Sequence, residues 1–322
     1  MSNYLPCELH THTYHSDGSM SPKKLIKQSI KRGYKGIGIT DHNTCTSYDE
    51  INIYAENTDL VILKGIEWTT FWGHFTVFGL KNQIDWREIT LNNIDEIIQE
   101  ANSQGAIVNI AHPKRMGAPF CAGCYMEYPI KQFENITCFE IWSSASPHKE
   151  RHNLLAVNWF YQLLDEGHKL TAIYGYDWHQ EDEGCCYATT FVGGEPSNDK
   201  EVIKSLKMGD TFVSIGLIIS LKINGEQIPF GCNIEEGCHS LSLEIKEFDK
   251  EFCTKFKVKP QKILIKGSAV KETFISIEEA NDFSLEVTQG YFVIEILGEI
   301  EGEKENNLLF TSPIYVERRI RK

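Results

Sequence analysis

Apolar residues follow two different rhythms along this chain. In the first two thirds, short apolar runs alternate with stretches whose apolar positions fall three and four apart. Residues 5–9 (LPCEL) make a short run that stops at His10. Ser21 and Pro22 then read as an N-cap followed by proline at the first helical position. Leu25, Ile26, Ser29 and Ile30 supply one helical face, and Gly33 stops the helix. Residues 36–40 (GIGIT), 60–66 (LVILKGI), 74–80 (HFTVFGL), 106–111 (AIVNIA), 138–142 and 170–174 read as strands, with helices over 92–104 and 148–166. Strands alternating with helices predict an α/β fold around a parallel sheet or barrel, with functional side chains at the C-terminal ends of the strands.

Around residue 215 the rhythm changes. Residues 221–223, 241–245, 263–266, 274–277, 285–287, 291–297 and 314–316 are short strand-like runs separated by turn residues, and no long helix is left. This predicts a small antiparallel, β-sandwich-like domain over 216–322, behind an α/β domain over 1–215. A chain of 322 residues is long enough for two domains. Residues 299–307 (EIEGEKENN) read as an exposed, charged hairpin loop.

Composition narrows the possible partners. The net charge of −13, with no stripe of lysine and arginine, argues against an extended nucleic-acid footprint, while a small anion held by metals and one or two local cations stays possible. No run approaches the roughly 20 apolar residues that span a bilayer. The opening MSNYLPCELHTHT shows neither the basic nor the apolar region of a secretory signal, so a cytoplasmic protein without membrane contact is expected. Ten cysteines in such a chain are expected as reduced thiols; Cys121 and Cys124 form one CxxC, without the second pair that a structural zinc site wants.

The chemistry gathers in a few short segments near strand ends. His10 and His12 lie in ELHTHTYHSDGS with His15 and Asp17 close behind, and His42 lies in GITDHNT. Glu67 lies in KGIEWTT, His74 opens HFTVFGL, His112 lies in NIAHP, and Asp177 and His179 form GYDWH. In His10-x-His12 on extended chain both rings project to one face, about 6–7 Å apart at their Cα atoms, and can converge on one cation; Asp177-x-His179 repeats this with mixed ligands. Imidazole with carboxylate suits zinc, manganese or iron better than calcium or magnesium. Each segment also has a plain structural reading: a turn pair for Asp41 and His42, a helix cap for Glu67, a core histidine for His74, a loop start for His112. Their joint occurrence decides against it, because nine such groups converging without a cation would carry a heavy desolvation cost.

The motifs HTHTYHSDGS, GITDHNT, GIEWTTFWGHF, IAHP and GYDWH, in that order, resemble the PHP (polymerase and histidinol phosphatase) superfamily of metal-dependent phosphoesterases, over roughly residues 5–215. KMGDTFVS near residue 210 resembles the segment that closes this domain in the branch with a β-rich C-terminal extension. The resemblance implies a distorted (β/α)7 barrel with two or three divalent metals (manganese, iron or zinc). One would be held by His10, His12, Glu67 and Asp177. A second would share Glu67 with His74 and His112, and a third would take Asp17, His42 and His179. His15 competes with Asp17, which the SDG turn aims at the site. Where the last motif more often reads GSDAH-like, Tyr176 and Trp178 stand here, and they are expected to narrow the mouth.

The implied reaction is hydrolysis of a small phosphate mono- or diester by a hydroxide bridging two metals. Asp177 or a nearby histidine would handle the leaving-group proton, and Arg115, with Lys114, would clamp phosphate. Against that role, Arg115 reads equally as a solvated surface residue. Glu140 is expected to orient a histidine ligand. His148 and His152, four apart, read as a surface helix rather than cleft residues. The long segment 114–132 reads as a lid or substrate-selecting wall. Three rivals remain: a carbamate or aryl-ester hydrolase on the same metals, favoured by Trp68, Trp72 and Trp178 if they line the pocket; a 3′-5′ exonuclease; and a non-catalytic metal-binding module.

Overall fold

The computed structural model describes residues 4–117, 123–181, 187–194, 196–248 and 257–318. Its first part runs β1 (Tyr4–Glu8), α1 (Pro22–Lys31), β2 (Gly36–Ile39), α2 (Tyr48–Ala55), β3 (Val61–Thr69), β4 (His74–Phe78), α3 (Ile94–Ser103), β5 (Ile107–Ile110), β6 (Cys138–Ser143), α4 (Arg151–Asp165), β7 (Thr171–Gly175), β8 (Thr189–Gly193), α5 (Asp199–Met208) and β9 (Thr211–Ser214). Among the described residues, strands only, apart from one 3-10 turn at Ile277–Glu279, follow: β10 (Leu217–Ile223), β11 (Glu226–Ile228), β12 (Asn233–Glu235), β13 (Gly237–Glu247), β14 (Val258–Lys266), β15 (Thr273–Ser276), β16 (Phe283–Val287), β17 (Gly290–Ile300), β18 (Glu303–Thr311) and β19 (Ile314–Glu317).

The local signals act as the sequence suggests. Ser21 caps α1 by accepting from the Lys24 amide at 3.2 Å, Pro22 starts the helix, and Gly33 takes a left-handed φ of 76° just past its end. The fully buried strands β2, β5 and β7 sit mid-sheet or face packed helices, so both of their faces are apolar. The 148–166 helix begins only at Arg151, because residues 147–149 form a separate 3-10 turn behind Ser146, whose φ is 52°. The 299–307 segment is not a loop. The strands of a hairpin run to a two-residue turn at Glu301 and Gly302, both with positive φ, the geometry that matches strand twist.

β1, β2 and β3 pair in parallel, as do β5, β6 and β7, but β4 is a reversed strand joining the two sets. A closed (β/α)7 barrel is not formed among the described residues. The outer edge of β1 is taken by β8, which runs antiparallel from Tyr4↔Gly193 to Cys7↔Thr190. β7 therefore meets β1 only beyond their ends, through an isolated bridge between Thr11 and Trp178. The sheet is an open curl that continues through β9 into β18 and β17. A separate four-stranded antiparallel sheet, β11-β10-β13-β16, shares its apolar core with that extension. Phe310 on β18 packs on Phe160 and Tyr161 of α4, with ring centroids 6.0 and 5.7 Å apart. Among the described residues, no helix is long and apolar enough to cross a membrane.

Candidate metal centre

The C-terminal ends of β1, β2, β3, β5 and β7, and the start of β4, face one another. They bring nine imidazole and carboxylate side chains into one cluster with three overlapping groups: His10, His12, Glu67 and Asp177; Glu67, His74 and His112; and His12, Asp17, His42 and His179. Within each group the donor atoms lie within 4.8 Å of one another. Glu67 is the hub. Its Oε2 lies 3.2 Å from His10 Nε2, 3.3 Å from His12 Nε2 and 2.8 Å from His42 Nδ1; its Oε1 lies 2.9 Å from His74 Nδ1 and 3.2 Å from His112 Nε2. Asp177 Oδ1 lies 3.0 Å from His12 Nε2 and 3.4 Å from His10 Nε2, while Asp17 Oδ1 lies 3.0 Å from His179 Nε2 and 3.4 Å from His42 Nε2. His12 in the third group is an addition that spacing did not indicate. His15 belongs to none of the groups; it turns to Thr46 and Glu50 at 2.9 and 3.2 Å.

Charge and burial conflict sharply in this cluster. Burial opposes ionisation of Glu67, but the imidazoles of His42, His10 and His74 outweigh it and hold the carboxyl well below its usual range. The same contest, with His10, His12 and His112, holds Asp177 low. Burial disfavours charge on His42 too, yet Glu67 and Asp17 push its pKa up to about 11, whereas burial takes His12 down to about 4. Six ring and carboxylate atoms of this cluster are buried without a hydrogen-bond partner among the described residues: His10 Nε2, both His12 nitrogens, His74 Nε2, Glu67 Oε2 and Asp177 Oδ1. An unpartnered buried polar atom costs about 1–3 kcal/mol. Unpartnered nitrogens and oxygens converging at these distances fit divalent cations.

A second layer of carboxylates holds the ligand-bearing turns. Glu140 Oε1 lies 2.9 Å from His10 Nδ1, leaving Nε2 to face the cluster, and its Oε2 accepts from the His112 amide at 2.7 Å. Asp41 accepts from the Thr13 amide and from the hydroxyls of Ser16 and Ser47 at 2.7, 2.8 and 2.6 Å, tying the loop after β1 to the loop after β2. Glu8 accepts from the amides of His10 and Tyr176. Spacing expects Glu140 but gives no role to Asp41 or Glu8; the available signal is a carboxylate inside an apolar strand run, as in residues 5–9. Three ligand-bearing turns also carry left-handed non-glycine residues: Asn43 beside His42, His112 and Asp177, with φ of 54°, 28° and 60°. Such backbone persists where its surroundings over-determine it, at roughly 1–3 kcal/mol each. Gly175 is needed at the end of β7, because a Cβ there would lie 2.3 Å from Glu140 Oε1 and 2.9 Å from the His10 Cβ. Gly175→Ala is expected to lower Tm and metal affinity together, through roughly 1–3 kcal/mol of overpacking, as checked by calorimetry with and without metal.

The cluster opens into a cleft of about 550 Å³ lined by Asp17, His42, His74, His112, Arg115, Met116, Tyr176, Asp177, His179 and a few small or polar residues. Arg115 lies on its wall with Nη1 against Asp177 Oδ2, its side chain 36% exposed. Lys114 is turned elsewhere: its Nζ lies 4.1 Å from the Trp159 ring and 4.7 Å from that of Tyr125. Tyr176 lines the cleft as expected, but Trp178 does not narrow it. Trp178 is fully buried, with the Arg32 guanidinium 4.0 Å from its ring. Trp68 is also fully buried, and Trp72 packs partly buried against the core away from the lining. His152 sits outside the metal cleft with Nε2 3.0 Å from Ser143 Oγ, and His148 lies in the preceding 3-10 turn. Of the expected lid, Met116, Gly117 and Cys124 line the cleft wall; Cys121 lies outside the described residues.

Residues 8–112 match the family model of the PHP domain. A 5′-3′ exoribonuclease of Haemophilus influenzae is 32% identical over 65 residues, 20% of this chain and 24% of that protein. A 3′,5′-nucleoside bisphosphate phosphatase of Chromobacterium violaceum is 28% identical over 122 residues, 37% of this chain and 40% of that protein. The chain thus spans less than half the length of these relatives. A two-domain Bacteroides vulgatus protein containing a predicted PHP-like metal-dependent phosphoesterase aligns in three dimensions with a TM-score of 0.55 at 17% identity, covering 97% of this chain and 96% of its own, a likeness of fold.

Proposed function

We propose, for a chain whose residues 8–112 match the family model of the PHP domain, that the protein is a metal-dependent phosphoesterase acting on a small phosphate mono- or diester. The observation that carries this reading is the buried Glu67, with nitrogens of His10, His12, His42, His74 and His112 all within 3.3 Å of its oxygens. Its three ligand groups would hold two or three ions, and mixed imidazole and carboxylate donors suit manganese, iron or zinc. Bound there, such ions supply Lewis acidity and a water of lowered pKa. We assign residues 1–215 to the hydrolase unit and 216–322 to a β-sandwich-like unit behind it, in a cytoplasmic protein.

The protein's own groups do the rest. Glu140 keeps the His10 ring turned to the cluster. Asp177 divides its two oxygens between the ligand group and Arg115. Held well below the usual carboxyl range, Asp177 stays ionised as a ligand and as the partner of Arg115, so the leaving-group proton falls to a nearby histidine. Arg115 offers a planar fork at the cleft wall, the geometry that matches phosphate. The aryl-ester and carbamate reading wants an aromatic pocket instead, and Trp68, Trp72 and Trp178 all lie off the lining. The exonuclease reading wants a basic groove, which a net charge of −13 opposes.

The test is a panel of phosphate mono- and diesters, aryl acetates, carbamates and single-stranded oligonucleotides, assayed with manganese. Turnover confined to carbonyl esters would overturn the phosphate reading, and no turnover with full metal loading would leave the non-catalytic module. Arg115→Ala is expected to lower kcat/KM on phosphate esters by about 10–100-fold, the loss of roughly one charged bidentate contact, with metal content unchanged. Lys114→Ala is expected to leave the same rate within about twofold, since its ammonium is engaged by rings outside the cleft.

A further inference from the structure

Between the ends of β1 and β7, one side chain spans the gap that the ligand residues straddle. Glu8 is the last residue of β1 and is fully buried. A single oxygen of it, Oε1, accepts from the His10 amide at 2.9 Å and from the Tyr176 amide at 2.9 Å. Those two amides belong to the two segments whose side chains converge: His10 Nε2 lies 3.4 Å from Asp177 Oδ1. Asp177 is fixed on its downstream side by the neighbouring backbone, where Trp178 N donates to His10 O and His12 N donates to Trp178 O, both at 2.9 Å. On its upstream side the tie to β1 is Glu8. The residue so pinned has a φ of 60°, in the left-handed region that few non-glycine residues adopt and that aspartate tolerates better than most. The second oxygen, Oε2, faces the Tyr34 hydroxyl at 3.5 Å.

We propose that Glu8 is a positioning residue for the ion held by His10, His12, Glu67 and Asp177, acting by reach and not by charge. It fixes the separation of His10 and Asp177 by accepting from the amides of His10 and Tyr176 with one oxygen. The proposal rests on the assignment of those four residues as ligands, and its deciding readout, Mn2+ affinity, needs no substrate, so its failure is separate from failure of the phosphoesterase reading.

Two substitutions separate reach from charge. Glu8→Gln keeps the length and one carbonyl oxygen for both amides, and its NH2 can face Tyr34, but the charge is gone. Glu8→Asp keeps the charge and is one methylene too short to meet both amides. Titrating each metal-free full chain with Mn2+ by calorimetry, against a competing chelator, should give wild-type affinity within about threefold for Glu8→Gln. Glu8→Asp should lose about 10–100-fold, the range for partners that orient ligands from behind. Raising Mn2+ to saturation should restore the kcat of Glu8→Asp on an aryl phosphate with KM for the ester unchanged. The reverse order, with Glu8→Asp binding like wild type and Glu8→Gln weak, would make Glu8 a charge attractor and overturn the proposal. Equal affinity in all three proteins overturns it as well. If Glu8→Asp does not fold, Glu8→Gln decides alone: folded protein with Mn2+ binding lost refutes the reach argument, and binding retained supports it.

Discussion

Glu67→Gln is expected to lower turnover by about a hundredfold or more, while leaving a folded protein. Five imidazoles depend on this carboxylate, and it is shared by two of the three ligand groups. Breaking a buried ion pair by removing one partner costs about 3–5 kcal/mol, because the other charge is left uncompensated; at about 1.4 kcal/mol per tenfold, that is roughly two to four orders of magnitude. The substitution is nearly isosteric, so packing among Trp68, Phe75 and Val77 is preserved. Elemental analysis after chelator-free purification should show at least one ion fewer per chain, and circular dichroism should match the wild type. Turnover within tenfold of wild type would show that the hub has been misassigned.

The second large effect is on the pH dependence of stability, and it should change shape when metal is removed. In the metal-free protein the pKa of His42 rises to about 11 from an ordinary 6.5. A group raised on folding stabilises fully below its unfolded value, so this contribution is present below about 6.5 and is lost as pH climbs towards 11. Glu67 and Asp177 are lowered on folding, so their contribution is present above the ordinary carboxyl range, about 4, and is lost as pH falls below it. His12, lowered by burial to about 4, contributes above about 6.5 and loses that contribution as pH falls, so chelated protein should be most stable near pH 6.5 and lose Tm towards pH 10. Metal needs neutral imidazoles and displaces protons, so loaded protein should hold or gain Tm over the same rise. Scanning calorimetry at pH 6 and pH 9.5, with chelator and with Mn2+, should show the gap between the two forms widening by more than about 5 °C. Parallel curves would mean that the histidines do not titrate against the ion.

The convergence of these nine side chains was legible because each stands in a short motif at a strand end, and strand ends of an α/β sheet converge. The strands from β1 to β7 were legible for the same reason, since their apolar runs are sharply bounded. Other features depend on contacts that periodicity does not encode. α2 (YDEINIYA) carries too weak a helical stripe to stand out, and β8 hides its pattern in a run of threonines. Whether β1 pairs with β7 or with β8 is a choice between distant segments, and it decides between a closed ring and an open one. Strict alternation puts Tyr176 and Trp178 on one face. The left-handed backbone of Asp177 breaks the alternation, so one ring lines the cleft and the other lies in the core. Lys114 and Arg115 are neighbours in sequence with opposite fates, because Trp159 of α4 captures the first.

The bridge between Thr11 and Trp178 gives the protein a seam. His10 and His12 stand on one lip and Asp177 on the other, so an ion gripped by all three would rivet the edges together. Folding and loading would then be two halves of one act. Emptying the site should let the lips breathe, and the amides of His12 and Trp178, which close the bridge, should exchange with solvent sooner than those deep in β5 or β6.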